Sequence, residues 1–200
     1  MNNEIIRNDE VATKEKSPEQ DKFNVKEKLF ESRQLLICGE INQKLAAKIT
    51  EELLALEAED NKSDITLFIN SQGGHVEAGD TIHDMIRFIK PTVKVIGTGW
   101  VASAGTHIYL AADKENRYCL PNTRFLIHQP LGGTRGSASD IHIQAEQIVK
   151  MRERLAKVIS KSTGQEIKKV RLDIDRDYWM NTDEATEYGI VHKVIKKRQF

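Results

Sequence analysis

The stretch Gly97-Thr-Gly-Trp-Val-Ala-Ser-Ala-Gly-Thr-His107 decides the fold, because it joins an apolar strand to a helix through a serine. A β-branched run, residues 93–96, leads into its two glycines, and an apolar segment, residues 108–112, follows it. β-Branched runs favour strands, and glycines favour a turn before the next element. We therefore predict a strand, a tight turn and a helix through residue 112, with Ser103 at the helix N-terminus.

Ser103 has two possible roles in such a turn. A hydroxyl at a helix N-terminus lies near free backbone N–H groups and the positive end of the helix dipole, which suits a nucleophile that creates an oxyanion. Serine is also a common helix cap without chemistry. The spacing does not match G-x-S-x-G, so an α/β-hydrolase elbow is not indicated. The serine alone does not decide between these roles.

Strands and helices alternate on both sides of this stretch. We predict strands at residues 34–38 (ended by Gly39), 64–70, 118–120, 124–127 and 190–195. We predict helices at residues 42–59 (capped by Asn42), 76–90, 137–162 and 181–189. Such alternation predicts a layered α/β domain with right-handed crossovers.

The helix predicted for residues 137–162 is long and polar, and its apolar stripe is narrow. The stripe consists of Ile141, Ala145, Ile148, Met151 and Leu155. Contact with a partner subunit and a surface helix that caps the sheet both fit this pattern, and the sequence does not choose between them.

Composition excludes several classes of protein. Thirty basic and thirty acidic residues cancel, which argues against nucleic-acid and anionic-membrane partners. Cys38 and Cys119 lack C-x-x-C spacing, which favours a reducing cytoplasm over a disulfide framework. The six histidines show no metal-ligand spacing, so no metal is expected.

Residues 1–24 are charged and polar and predict a flexible segment without a secretory signal, ahead of one domain at residues 25–200.

A serine nucleophile needs a base, and the histidines supply candidates. His128 lies 25 residues after Ser103, at the end of a predicted strand and just before Gln129-Pro130. It is either the base or a structural histidine. His107 competes, but its position four residues past Ser103 directs it along the helix surface. We expect the others to be solvated: His75, His83, His142 and His192.

Other residues could complete such a site. Asp177 directly precedes an aromatic pair that could bury it, although a solvated turn aspartate is the alternative. The pair Gly73-Gly74 precedes a helix and offers unhindered N–H groups for an anion. The pair Gly132-Gly133 offers a flexible edge that could bind an extended peptide by strand addition. Each of these signals is weak alone.

Taken together, these segments resemble the proteolytic subunit of the Clp protease (ClpP), a serine peptidase of the crotonase-like fold. The motifs that carry the resemblance are Phe-Ile-Asn-Ser-Gln-Gly-Gly before Ala78-Gly79, Ala102-Ser103-Ala-Gly105, Tyr118-Cys-Leu-Pro-Asn122, Ile127-His-Gln-Pro-Leu-Gly-Gly133, Ser162-Thr-Gly-Gln165, Arg176-Asp177, and Glu184-Ala185 with Glu187-Tyr-Gly189. The resemblance implies a layered fold of repeated β-β-α units with a protruding handle helix at about residues 137–162.

The resemblance also assigns roles to particular residues. It implies Ser103 as nucleophile, His128 as base and Asp177 as orienting acid. The remaining implied roles are the backbone oxyanion hole at Gly74 and Ala104, substrate binding at Gly73, Leu131, Gly132 and Gly133, and ring-to-ring contact at Gln129, Asp175 and Arg176. The implied assembly is two stacked heptamers fed by a hexameric AAA+ unfoldase, which uses the ATP, so this chain needs no cofactor.

The chain departs from the family pattern in places. Gln72 replaces a usual proline, and residues 22–33 lack the usual Arg-Gly-Glu-Arg stretch. We therefore predict a divergent paralogue that assembles with, or is activated by, a second ClpP-type subunit. The main hypothesis is a serine endopeptidase that cleaves unfolded chains. The alternatives are a poorly active subunit of a mixed barrel and an acyl-CoA enzyme of crotonase type.

Overall fold

The computed structural model describes residues 24–198. The strands are β1 (Gln34–Ile41), β2 (Ile65–Gly74), β3 (Val93–Ala102), β4 (Arg117–Cys119), β5 (Arg124–Ile127), β6 (Tyr178–Met180) and β7 (Lys193–Val194). The helices are α1 (Val25–Glu31), α2 (Gln43–Glu59), α3 (Val76–Phe88), α4 (Ala104–Tyr109), α5 (Ala138–Thr163), α6 (Ile167–Asp173) and α7 (Thr182–Tyr188). The flexible segment predicted at residues 1–24 lies, except for Asn24, outside the described residues.

The sheet is parallel along its main path, in the order β1-β2-β3-β4-β7. Strand β5 pairs in parallel with the end of β3, and β6 pairs antiparallel with β5. Three neighbouring strand ends therefore meet near residue 102, and this meeting point is where the candidate site lies.

The long strands make the repeated unit of the fold visible. The register shifts within β1 between Cys38 and Glu40, and within β2 between Ile69 and Ser71. The first half of β3 pairs with β4, and its last residues pair with β5. Each long strand thus provides two consecutive strand segments before a helix. This is the predicted β-β-α repeat, and the α/β fold class is confirmed.

The core lies between the sheet and the helices that follow its strands. Helix α2 buries one face, with Ala46, Ile49, Leu53 and Leu56. Every residue of α4 is buried, so the helix that starts beside Ser103 is part of the core. Burial of one leucine or isoleucine side chain contributes about 2 kcal/mol, so the packing around α4 holds it firmly.

Helix α5 has two different halves. Ser137 caps it through a capping box with Asp140, and Gly164 ends it in the left-handed conformation. Its first half is almost entirely exposed, and its buried residues begin only at Leu155. The first half of the helix therefore protrudes from the domain, as the handle prediction requires.

Several predicted boundaries are wrong. β1 continues past Gly39, because a register shift lets the pairing resume. β3 runs through both of its glycines to Ala102, and α4 ends at Tyr109 rather than at residue 112. The predicted strand at 190–195 is only Lys193–Val194. Helices α1 and α6 and strand β6 were not predicted, since they are short and lack a clear apolar period.

No helix within residues 24–198 is long and apolar enough to cross a lipid bilayer.

Candidate active site

Ser103 lies in the one-residue connection between β3 and α4. Its backbone has φ 56° and ψ −120°, a strained conformation for a residue other than glycine. Its N–H donates to the carbonyl of Leu126 at 3.0 Å, which ties the turn to β5. Its hydroxyl makes no capping bond to α4, so the helix-cap alternative is wrong. The turn presents the hydroxyl to its neighbours instead.

The neighbour that the hydroxyl contacts is His128. The Nε2 atom of His128 lies 2.7 Å from Ser103 Oγ. The other ring nitrogen, Nδ1, lies 3.1 Å from Asp177 Oδ1. β5 delivers the histidine beside the end of β3, and β6 folds back on β5 to bring the aspartate. The three predicted residues therefore meet in one chain of contacts.

The structure distinguishes the two alternatives for Asp177. Its side chain is 63% exposed, whereas that of His128 is 13% exposed. The solvated turn aspartate is therefore the observed alternative, and the aromatic pair Tyr178 and Trp179 belongs to β6 and leaves the carboxylate exposed. Trp179 stacks on Trp100 and lies under the guanidinium of Arg124.

Gln129 links the segments that carry His128 and Asp177. Its backbone N–H donates to the carbonyl of Ile174 at 2.6 Å, and its side-chain amide donates to the carbonyl of Asp175 at 2.8 Å. These bonds tie the segment after His128 to the segment before Asp177. The carboxylate of Asp175 pairs with Arg152 of α5 at 3.0 Å. Arg176 is exposed.

Gly73 packs directly against the serine turn. A Cβ atom at Gly73 would lie 2.6 Å from the Cβ of Ser103 and 3.2 Å from the backbone nitrogen of Ala104. Its φ of +100° also favours glycine. The N–H of Ala104 belongs to the first turn of α4, where no intrahelical acceptor exists. Gly73 and the helix N-terminus therefore border the same serine turn, whereas Gly74 packs against the backbone of Ile41 on β1.

A small cavity, of about 30 Å³, opens beside Ser103 and His128. Besides Ser103 and His128, the polar residues of its lining are Thr106 and His107. The rest of the lining is apolar: Val76, Ala104, Ile127, Pro130, Leu155 and Ile159. Such a cavity next to a nucleophile suits an apolar side chain.

The predicted peptide-binding edge at Leu131, Gly132 and Gly133 is an exposed loop between β5 and α5. Leu131 is 80% exposed. A Cβ at Gly132 would lie 2.9 Å from the side chain of Ile148, so this loop runs along α5. The edge is open to a binding partner.

The other histidines only partly follow the prediction. The ring nitrogens of His107 make no hydrogen bond to Ser103, and Nε2 lies instead 3.0 Å from Asp80 Oδ1. His83 is buried and stacks on His107, so its predicted solvation is wrong. The signal that sequence reasoning missed is its spacing, since His83 falls on the buried stripe of α3 between Gly79 and Ile86.

Cys119 is the other buried group that could act as a nucleophile by type. Burial raises the pKa of its thiol to about 12. A thiol with so high a pKa is protonated near neutral pH and reacts poorly. Ser103 is therefore the better nucleophile of the two.

Fold and site together define a class: a largely parallel α/β domain with a Ser–His–Asp contact where strands β3 and β5 end, as in serine hydrolases. The comparisons agree with this class. The Clp protease family matches residues 17–198. The ATP-dependent Clp protease proteolytic subunit 3 of Rhizobium meliloti is 54% identical over 190 residues, which cover 95% of this chain and 97% of that protein.

Two further comparisons extend this result. The proteolytic subunit 3 of Rhizobium etli is 58% identical over 167 residues, covering 84% of this chain and 86% of that protein. Among solved structures, ClpP1 from Listeria monocytogenes is 55% identical with a TM-score of 0.79, and the match covers 88% of this chain and 98% of that one. The chain belongs to the Clp protease family of proteolytic subunits. The subunit numbers of these relatives agree with the predicted divergent paralogue.

Proposed function

We propose that this chain is a serine endopeptidase that cleaves unfolded polypeptides through an acyl-enzyme. The observation that carries the proposal is the 2.7 Å contact between Ser103 Oγ and His128 Nε2 on the fold of a protease family. Ser103 attacks the scissile carbonyl while His128 takes the hydroxyl proton. His128 then returns that proton to the leaving amine, and a water molecule hydrolyses the ester in a second, symmetrical step.

Asp177 supports the base in this scheme. Its carboxylate favours the tautomer of His128 that carries a proton on Nδ1, which leaves Nε2 free to accept from the hydroxyl. It also stabilises the imidazolium that forms during attack. The backbone amides of Gly74 and Ala104 are our proposed oxyanion hole, and the close approach of Gly73 to Ala104 supports this assignment.

Substrate binding requires an extended peptide beside the nucleophile. We assign its two sides to Gly73 and to the segment Leu131, Gly132 and Gly133, whose exposed backbone can pair with a peptide by strand addition. One substrate side chain then enters the apolar cavity beside Ser103. The exposure of Leu131 and the open loop support this placement.

We propose a ring assembly because the chain belongs to this family. Two heptameric rings stack through the protruding half of α5, alone or mixed with a second ClpP-type subunit, and Gln129, Asp175 and Arg176 lie near that contact. A hexameric AAA+ unfoldase in the same cytoplasmic compartment supplies unfolded chains and consumes the ATP. The exposed apolar residues of α5 support such a contact: Ile141, Ile143 and Val149.

A second candidate function is a poorly active subunit that needs a paralogue. The observation that favours it is the exposure of Asp177, since water screens an exposed carboxylate and weakens its hold on a histidine. Assembly with a neighbour would bury this carboxylate. Peptidase assays of the chain alone and of the chain mixed with a second ClpP-type subunit separate the two functions, because only the second function predicts activity solely in the mixture.

The main proposal is tested by hydrolysis of a fluorogenic peptide by the assembled protein. Ser103→Ala should lower kcat by about 10³-fold or more, because only binding and oxyanion stabilisation remain. The matched control is Ser63→Ala, which removes an exposed hydroxyl in the loop before β2 and should keep full activity. Activity that survives in Ser103→Ala contradicts the assignment of the nucleophile.

A further inference from the structure

A second acid–base cluster lies beside the candidate active site, where α3, α4 and α5 meet. Asp80 of α3 lies between α4 and α5, and its side chain is 21% exposed. One carboxylate oxygen, Oδ1, lies 3.0 Å from Nε2 of His107 on α4. The other, Oδ2, pairs with the guanidinium of Arg154 on α5. A single carboxylate thus joins three helices.

The ring of His107 is held from a second direction as well. His83 of α3 stacks on it with ring centroids 4.4 Å apart and ring planes 8° apart. His107 is nine-tenths buried, and neither of its ring nitrogens has an aligned hydrogen bond among residues 24–198. Its 3.0 Å contact with Asp80 is therefore an ion pair or dipole contact rather than a well-directed bond. This ring depends on Asp80 for its polar contact.

The neighbours of Asp80 stabilise its negative charge. Burial alone would raise its pKa, but the His107 ring and then Arg154 and His83 outweigh burial and lower the pKa of this carboxyl. Asp80 is therefore ionised at neutral pH. An ionised carboxylate can hold a guanidinium and an imidazole at the same time, because it has two acceptor oxygens.

One partner of Asp80 lines the cavity beside Ser103, and the other is the sequence neighbour of a residue that does. His107 lines the cavity, and its backbone N–H donates to the carbonyl of Ser103 at 3.1 Å in the first turn of α4. Arg154 directly precedes Leu155, which lines the cavity from α5. Asp80 therefore ties together two walls of the cavity that come from different helices.

We propose that Asp80 is a positioning residue for peptide cleavage, which acts through His107 and Arg154 to fix the shape of the cavity that receives the substrate side chain before the scissile bond. The inference rests on the proposed peptidase function and adds a residue that determines its specificity. Asp80 touches neither the substrate nor the reacting atoms. Its effect must therefore depend on how well the substrate fills the cavity.

The test compares Asp80→Asn with the wild type on two fluorogenic peptides, one with leucine and one with alanine before the scissile bond. We expect kcat/KM for the leucine peptide to fall roughly 10-fold, mainly through KM. The reason is that a cavity whose walls are no longer held together binds a leucine side chain less tightly. For the alanine peptide we expect less than about a 3-fold fall. The rate of labelling of Ser103 by a small fluorophosphonate should stay within about 2-fold of the wild type.

The matched control is Asp64→Asn, which removes a carboxylate paired with Lys94 at the opposite end of β3 from Ser103. It should leave kcat/KM unchanged for both peptides. Arg154→Met provides the second variant, since its side chain is half exposed and its loss should leave the fold intact. If Asp80 acts through Arg154, the double variant should be no more than slightly worse than Asp80→Asn alone.

Two outcomes overturn the inference while the peptidase proposal stands. One is an equal loss on both peptides and in labelling, which would show a merely structural role. The other is full additivity of Asp80→Asn and Arg154→Met, which would show that the two residues act separately. A wild type that neither hydrolyses peptide nor reacts with the fluorophosphonate, alone or with a second subunit, contradicts the peptidase proposal and this inference with it.

Discussion

Two histidine–aspartate pairs flank the helix that begins beside Ser103, and they differ in what each histidine faces. In the first pair, His128 contacts the serine hydroxyl with one nitrogen and Asp177 with the other. In the second pair, His107 faces Asp80 and the ring of His83, and its ring nitrogens make no hydrogen bond to the hydroxyl. The same two residue types thus occur twice within one small region.

The difference teaches that position in the fold, more than residue type, decides the role of a histidine. His128 follows a strand that pairs with the end of β3, so its ring lies over the serine turn. His107 lies one helical turn after Ser103, and its ring faces Asp80 and His83 of α3. The first pair can exchange a proton with the nucleophile, whereas the second can only shape its surroundings.

The largest expected effect separates the two histidines. His128→Ala should lower kcat by about 10³-fold or more, because the serine loses its base. His107→Phe should lower kcat/KM by no more than about 10-fold, because an aromatic ring of similar size can still stack on His83. Peptide hydrolysis at saturating and limiting substrate measures both. Equal losses in the two variants would remove the distinction on which the comparison rests.

Replacement of the exposed acid should have an intermediate effect. Asp177→Asn should lower kcat by about 10²-fold, since the amide no longer favours the productive tautomer but water already screens the native carboxylate. The matched change in the other pair, Asp80→Asn, should leave kcat nearly unchanged and act on KM. The variants are best compared over a pH range. A loss below 3-fold for Asp177→Asn would mean that Asp177 does not orient the base in the assembled protein.

The smallest expected effect is a change in the pH dependence of stability. Burial, followed by repulsion from His107 and opposed by Asp84, lowers the pKa of His83 from its ordinary value of 6.5. A group with a lowered pKa in the folded state binds fewer protons than in the unfolded state, so stability falls as pH drops below about 6.5. His83→Phe keeps the ring stack and should reduce this fall. Urea unfolding at pH 7.5 and pH 5.5 measures it, and an unchanged fall would show that His83 does not contribute.

Much of the fold could be predicted from the sequence, because its main elements have strong periods. The buried run in β2 and the amphipathic stripes of α2 and α3 are local patterns, and the structure agrees with them within a few residues. The register shifts in β1 and β2 could not be predicted, since at each shift the same two strands resume pairing in a new register. Such pairing depends on residues far apart in the chain.

The candidate site shows the same division. His128 could be chosen because a strand end and a following proline locate it beside the serine turn. The exposure of Asp177 could not be predicted, because it depends on how the short strand β6 pairs with β5. The cluster of Asp80, His83 and His107 was missed because its members face one another across two helices, and no local pattern records that contact.

The central claim is that Ser103 is the nucleophile activated by His128, and its most direct test is the site of covalent modification. The assembled protein should be treated with a fluorophosphonate, digested and analysed by peptide mass spectrometry, with His128→Ala treated in parallel. We predict a single adduct on Ser103 in the wild type and a strongly slowed reaction in His128→Ala. An adduct on any other residue, or equal labelling of Ser103 in both proteins, would contradict the account.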